Sequence, residues 1–385
     1  GNAASIDFAY RGPAINDRDA TIPADDVLRM VFDYFNVTQG GTANRNAGNL
    51  RANGSRTIPG YSTYFDGSLA SPSVRELTAG YGVQLGIGGY VRADVVLRDW
   101  RDFYAASVTT STRRTNTPLG IPVDLTLLRN TGEIERRYRA LQLQARWSPR
   151  RFDGGVHYTL ASLRGNDEGE NAATGATANL APGSYYPEYF SYERAAPIGD
   201  LPGDQRHRLR AWLGATFGPL SLSALHSFDS ALSYSIAAPI NLTRYNGAPA
   251  NPGYASIPNG IYFFSDRGAL RADDIHSTDL AIRTAVRVAR LEWFVQADVL
   301  NVFHNDGIAD PQRLGTTVST AATSTAFLPF DPARQRPVEC PRGTAASACT
   351  AMGAHYQLAP NFGQPLNDLA YQRPRTWRIS LGLRF

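Results

Sequence analysis

The last nine residues, WRISLGLRF at 377–385, alternate without a break. Trp377, Ile379, Leu381, Leu383 and Phe385 share one parity, and Arg378, Ser380, Gly382 and Arg384 take the other. Successive side chains of a strand point to opposite faces, so a strand here has one apolar and one polar side. A sheet in water gains nothing from ending on an exposed phenylalanine. A closed barrel in lipid needs its final strand apolar outside and polar within, with aromatics at both interfaces.

The same pattern recurs upstream in pairs of segments joined by short turns. Leu209, Ala211, Leu213, Ala215 and Phe217 form one apolar face, and after Gly218 and Pro219 it continues on Leu220, Leu222 and Ala224. Leu280, Ile282, Val286 and Val288 are followed across Ala289 and Arg290 by Leu291, Trp293, Val295, Ala297 and Val299. Counting outward from that turn places Arg287 opposite Glu292. Two weaker hairpins join 77–85 to 91–97 around GIGG, and 141–147 to 156–160 around SPRRFDG. Nine strands result, and Ile6, Phe8 and Tyr10 suggest one more at the start.

Between the hairpins lie long aperiodic segments rich in Gly, Pro, Asn, Ser and Thr, at about 11–74, 105–133, 164–205, 229–278 and 304–372. Such lengths are abnormal for connections in a compact soluble domain. Strict alternation of short turns and long loops is the asymmetry of an outer-membrane barrel, whose two rims differ in this way. Trp147, Phe217 and Trp293 stand beside short turns, and Phe303 and Trp377 beside the longest loop, as interfacial aromatics would.

Composition narrows the function classes. The chain has 385 residues, a formal charge of +4 and no apolar run long enough for a membrane-spanning helix. Barrel strands face lipid only at alternate positions, so a negative mean hydropathy still permits spanning. The basic residues, all arginine, are scattered rather than gathered, which argues against nucleic acid as a partner. Six histidines show no metal-ligand spacing and no G-x-S-x-G elbow is present, so neither enzyme activity nor a cofactor is expected. Asp273, Asp274, His276 and Ser277 mimic an acid/base group but fall where a loop meets a strand. Asp167, Glu168 and Glu170 form an acidic loop tip, read as solvated rather than as a Ca²⁺ site. Cys340 and Cys349, nine apart in a Pro/Gly/Ala/Thr-rich loop, suit a local disulfide in an oxidising compartment. The opening residues GNAASIDFAYRG carry no signal peptide, which an exported protein requires, so the chain is expected to be a fragment.

YVRADVVLRDWRDFY at 90–104, preceded by RELTAGY at 75–81, resembles the C-terminal barrel of TonB-dependent outer-membrane receptors, in particular the Oar-like group. DQRHR at 204–208, DVLNVF at 298–303 and the terminal Phe385 fit the same group. The resemblance implies an all-β antiparallel transmembrane barrel with long extracellular loops, of which residues 1–385 would supply nine or ten of some 22 strands without the plug and N-terminal domains. It further implies the outer membrane as location and its lipid as partner. Contact with the TonB system would run through regions upstream of this chain, and recognition by the barrel-assembly machinery through Phe385. An extracellular ligand would be captured by the loops. Two rivals remain open: a passive porin-like or adhesin-like barrel, and a secreted soluble β-sandwich binding module.

Parity assigns the charges Arg92, Asp94, Arg98, Arg208, Arg210, Arg283, Arg287, Glu292, Asp298 and Arg378 to a lumenal face, together with Arg146 and Arg384. They read either as an anion-favouring path or as lumenal ion pairs. Tyr185, Tyr186, Tyr189, Phe190, Tyr192, Tyr262, Phe263 and Phe264 read equally as an external ligand platform or as packing between loops.

Overall fold

The computed structural model describes residues 22–34, 63–65, 69–86, 88–108, 115–116, 122–167, 186–189, 191–254, 260–289 and 291–384. Nine long strands form one open antiparallel meander: β1 (Ser73–Leu85), β2 (Gly89–Arg101), β3 (Arg136–Trp147), β4 (Phe152–Gly165), β5 (His207–Phe217), β6 (Leu220–Asp229), β7 (Ile275–Val288), β8 (Leu291–Leu300) and β9 (Thr376–Arg384). Each pairs with its neighbour in sequence, which leaves β1 and β9 as the two edges among the described strands. The nine strands expected from alternation are these nine. The short strand suggested by Ile6, Phe8 and Tyr10, like Phe385, lies outside the described residues.

Register follows the parity of the sequence. Phe217 faces Leu220 and Leu213 faces Ala224. Val286 faces Trp293, and Arg287 faces Glu292. Val83 faces Val91, and Leu143 faces Tyr158. Each short turn contains a residue in the left-handed region: Gly88 (φ +72), Arg150 (φ +41), Gly218 (φ +59) and Ala289 (φ +57). Tight hairpin turns need this conformation to match the twist of their strands, and the non-glycine Ala289 adopts it at a cost of roughly 1–2 kcal/mol.

Several strands are longer than alternation indicates, β1, β2, β6 and β7 at their loop ends and β3 and β4 most of all. β3 starts at Arg136 rather than at 141, because Arg136, Arg137 and Arg139 put charge on both parities and hide the period. β4 already runs at Phe152, so the turn shrinks to 148–151. Gly154 and Gly155 look like turn residues, but Gly155 is a strand position directly opposite Trp212. The indole lies over it, and a Cβ there would meet the ring at 2.5 Å.

The wall divides its two faces sharply. Leu77, Tyr81, Val95, Leu143, Leu213, Ile282, Trp293, Ile379 and Leu381 are exposed on one face, the last at 77%. Long connections all leave one end of the wall and short turns the other. The long connections are not structureless. Residues 11–74 include a helix, α1 (Ala24–Tyr34), and further on Ala237–Ile240 pairs with Gly260–Phe263, and Val318–Thr320 with Tyr356–Leu358.

Most of the buried core sits in this cap of connections. Tyr186, Tyr189, Ile240, Leu242, Tyr254, Tyr262 and Phe330 form one cluster. Tyr234, Leu314, Val318, Tyr356, Leu358 and Phe362 form a second, and Phe264 packs against both. Burial pushes the phenols of Tyr186 and Tyr356 up to about 12, so both stay protonated. A third cluster surrounds the Cys340–Cys349 disulfide, whose Cα atoms are 5.5 Å apart, with Phe327 and Ala354.

One carboxylate fastens cap to wall. Asp204 is fully buried and accepts from the Leu163 N–H of β4 (2.6 Å), Arg206 Nε (3.0 Å) and Arg271 Nη2 (2.8 Å). Both guanidiniums also reach Asp200. This joins the β4–β5 connection to the β6–β7 connection. A buried charge is tolerated when hydrogen bonds and opposite charge surround it, and removing one member is costly.

Asp204→Asn is therefore expected to weaken the cap by the order of 2–3 kcal/mol, reduced from fully buried cases by the partial solvation of both arginines. Limited proteolysis should then cut within 230–274 while the wall stays intact; unchanged cleavage would refute the anchoring role. A pH effect is expected at His355, whose Nδ1 accepts the Val338 N–H at 2.8 Å beside the Phe330 ring. Burial lowers its pKa from 6.5. The unfolded cap then binds more protons than the folded one below that value, and stability falls as pH drops from 7 towards 5. The protection of the Val338 amide against hydrogen exchange, taken relative to the intrinsic rate at each pH, should fall over that range, and the fall should vanish in His355→Gln.

Candidate functional site: the polar face beneath the cap

The polar face of the wall carries a ladder of ion pairs set by cross-strand register. Arg98 Nε meets Glu76 at 2.5 Å across β1 and β2. Arg92 and Asp94 pair at 2.6 Å along β2. Arg208 and Arg210 share Asp229 at 3.0 and 2.6 Å. Glu292 lies 3.5 Å from Arg283 and 3.8 Å from Arg287, and Asp298 takes Arg378 at 2.9 Å. All ten charges assigned by parity thus stand on one face, and each sits in an ion pair. Arg146 joins them through Asp153 at 3.0 Å. Arg384 stands opposite Glu292 in register.

Solvated pairs of this type contribute about 0–1 kcal/mol each. What they determine is the character of the surface. Seven arginines (92, 98, 208, 210, 283, 287 and 378) meet five carboxylates (Glu76, Asp94, Asp229, Glu292 and Asp298), so the face is polar throughout and retains a basic surplus.

Aromatics on this face lie flat over glycines. Phe294 covers Gly382, its register partner, where a Cβ would meet the ring at 2.2 Å. The guanidinium of Arg283 stands 4.8 Å from the centre of the same ring. Trp212 covers Gly155 and directs Nε1 at Asp153 Oδ2, 3.4 Å away. Two bulky side chains are thereby kept low. A cleft of about 220 Å³ opens on this face where Tyr138, Gln142, Thr159 and Arg208 meet the Gly203–Asp204–Gln205 segment of the cap.

Other sequence-derived candidates fall into structural roles. Tyr186, Tyr189, Tyr192, Tyr262 and Phe263 are buried, so they pack the connections rather than form an external platform; Tyr185 and Phe190 lie outside the described residues. Asp274 Oδ1 accepts the Ala231 N–H at 2.8 Å, and Asp273 Oδ2 the Ile308 N–H at 2.9 Å, so both fasten loops. His276 stands apart on the apolar parity, opposite Phe228. Among the described residues no group of His, Cys, Asp or Glu is arranged to hold a metal; Asp167 is among them, Glu168 and Glu170 are not. In the terminal strand Trp377, Ile379, Leu381 and Leu383 share the exposed apolar face.

Sequence reasoning missed the cluster of Asp200, Asp204, Arg206 and Arg271. Its only linear trace is DQRHR at 204–208, which reads as the opening of a strand. Asn301 was also not singled out. It ends β8 at φ +50, and its Nδ2 donates to the carbonyls of Asn305 (2.7 Å) and Arg373 (2.9 Å), which brings the longest connection back to β9.

No family model matches the chain, and no curated protein matches it. Among solved structures it is similar to the outer membrane transporter YddB from Escherichia coli, with a TM-score of 0.41 and 15% identity over 66% of this chain and 31% of that one. It is also similar to the FrpB iron transporter from Neisseria meningitidis (F3-3 variant), with a TM-score of 0.36 and 12% identity over 66% of this chain and 29% of the other. The chain thus spans about a third of the length of each of these structures.

Proposed function

We propose that this chain is wall and outer cap of an outer-membrane β-barrel transporter, placed in the TonB-dependent, Oar-like group by its motifs. The observation that carries this reading is the division of one nine-stranded meander into an exposed apolar face and a continuous ionic face. Long connections gather at one end of it and short turns at the other. From Leu280 to Val288 the apolar parity spans nine residues, which at about 3.3 Å per residue and a barrel tilt suits a hydrocarbon band of roughly 25 Å.

Strand direction supports a larger barrel. β1 and β9 both run from the long-loop end to the short-turn end, so pairing them directly would join parallel edges. Lipid accepts no open edge, and an all-antiparallel meander closes only with an even number of strands. An odd number of further strands between these two edges meets both demands. The cap would then hold the extracellular ligand site, the lumen would take a plug, and the plug would be moved by the TonB motor. Assembly would read the terminal strand through Phe385.

The orientation is tested with Leu381→Arg and Ser380→Arg. Leucine 381 faces outward on the apolar side, where arginine costs about 2–4 kcal/mol near mid-bilayer; Ser380 sits on the ionic face. Gly382 is unsuitable as the control because the Phe294 ring covers it. The first variant should be depleted from the outer-membrane fraction while the second assembles as wild type, and equal yields would sink the parity assignment. In planar bilayers the intact protein should show no steady conductance; an open channel would favour the passive-porin alternative.

A further inference from the structure

We infer that the outer rim of β1–β4 is a binding site for the phosphorylated headgroup of a lipid, an inference that rests on the apolar face lying in a bilayer. Arg75, Asp99, Arg137 and Arg164 form one cross-strand row over these four strands. They share the parity of the apolar face, one step beyond the row of Leu77 and Leu97. Arg101 stands one step further out, opposite Ser73, and Arg139 one step further in, opposite Leu97. Five arginines therefore stand where the hydrocarbon band ends and headgroups begin.

The carboxylates here are already engaged. Asp99 takes Arg139 at 2.7 Å, Glu135 takes Arg137 at 2.5 Å, Asp102 accepts from the Ser73 hydroxyl at 2.8 Å, and Asp200 lies 3.6 Å from Arg164. Arg75 and Arg101 are exposed and meet no carboxylate among the described residues. A cleft of about 560 Å³ opens at the same place, lined by Arg101, Arg137 and Arg139 and by the engaged carboxylates Asp99, Asp102 and Glu135, so the basic surplus at its mouth comes from Arg75 on the neighbouring strand. A planar guanidinium binds a phosphate through two parallel hydrogen bonds, and the leucines one row below meet the acyl chains.

The patch is local and one-sided. On the same parity the short-turn rim carries Leu85, Trp147, Phe152, Phe217 and Trp293, without charge. At the long-loop rim the other five strands carry His207, Phe228, His276 and Trp377, and their nearest arginine on this parity is Arg375, just ahead of β9. General attraction to a membrane surface would spread cations around the rim. Two uncommitted guanidiniums on adjacent strands, Arg75 on β1 and Arg101 on β2, the second of them lining the cleft, fit one bound headgroup.

The test uses the intact protein in uncharged detergent micelles doped with dioleoylphosphatidic acid or with dioleoylglycerol, read by native mass spectrometry. Wild type should retain the phosphatidic acid and not the diacylglycerol, and Arg75→Gln/Arg101→Gln should retain at least tenfold less. Equal retention by the variant overturns the site, and displacement by millimolar inorganic phosphate overturns the lipid as its occupant. A second measurement needs no variant: phenylglyoxal should modify Arg101 more slowly in phosphatidic acid micelles than in diacylglycerol micelles, and equal rates overturn the proposal. A protein that stays soluble without detergent refutes the bilayer reading itself, whereas one that needs detergent yet shows equal labelling refutes this site alone.

Discussion

Every feature of the wall depends on cross-strand register. Side chains alternate with a period of two, so a slip of one residue in any pair would carry an entire apolar row to the ionic face. Four short turns hold that register, each through a residue with positive φ. Glycine supplies it at two of them without steric cost, while Arg150 and Ala289 adopt it under strain. The strain is sustained because the flanking ladders determine the turn. Beside Ala289 the pairs Val286 with Trp293 and Arg287 with Glu292 already fix which residues meet.

The ionic face follows from the same constraint. Strands close to one another bring arginine and carboxylate into register, and the large rings of Trp212 and Phe294 must find room between them. Gly155 and Gly382 provide that room as the direct partners of the two aromatics. Side chains thus stay low over the sheet in two places where an alanine would lift them. The ion pairs add little stability individually, but they pair the guanidiniums with carboxylates along the wall, and so define a polar surface with a basic surplus.

The wall was largely legible in the sequence because its information is local. Alternation, turn residues and the parity of charges can be read within single segments, and one ion pair, Arg287 with Glu292, follows from counting outward from a turn. Legibility fails where the period is masked or the contact is distant. Arg136, Arg137 and Arg139 obscure the outer end of β3 because charge stands on both parities. Asp204 looks like any acidic residue before a strand, yet its partners lie at Leu163 and Arg271, more than forty residues before it and more than sixty after it in the chain. The loop aromatics posed the same difficulty. Whether Tyr186 and Tyr262 face solvent or each other depends on Tyr254 and Phe330, which belong to other connections.

The two ends of the wall solve different problems. At the turn end the chain reverses within a few residues, and only aromatics such as Trp147 and Trp293 mark the boundary. At the loop end long connections emerge, and their closure entropy has to be met by contacts of their own. Neither face of the wall offers a dry core for them, one being ionic and the other apolar but outward. The connections therefore build their cores among themselves, around Tyr254 and Phe264 and around the Cys340–Cys349 bridge. They fasten that assembly to the wall at a few charged points, Asp204 foremost. A cap constructed this way can change in sequence and shape without disturbing strand register. The cap and the wall are thus physically separable, joined by the Asp204 cluster and by the strand ends that Asn301 gathers.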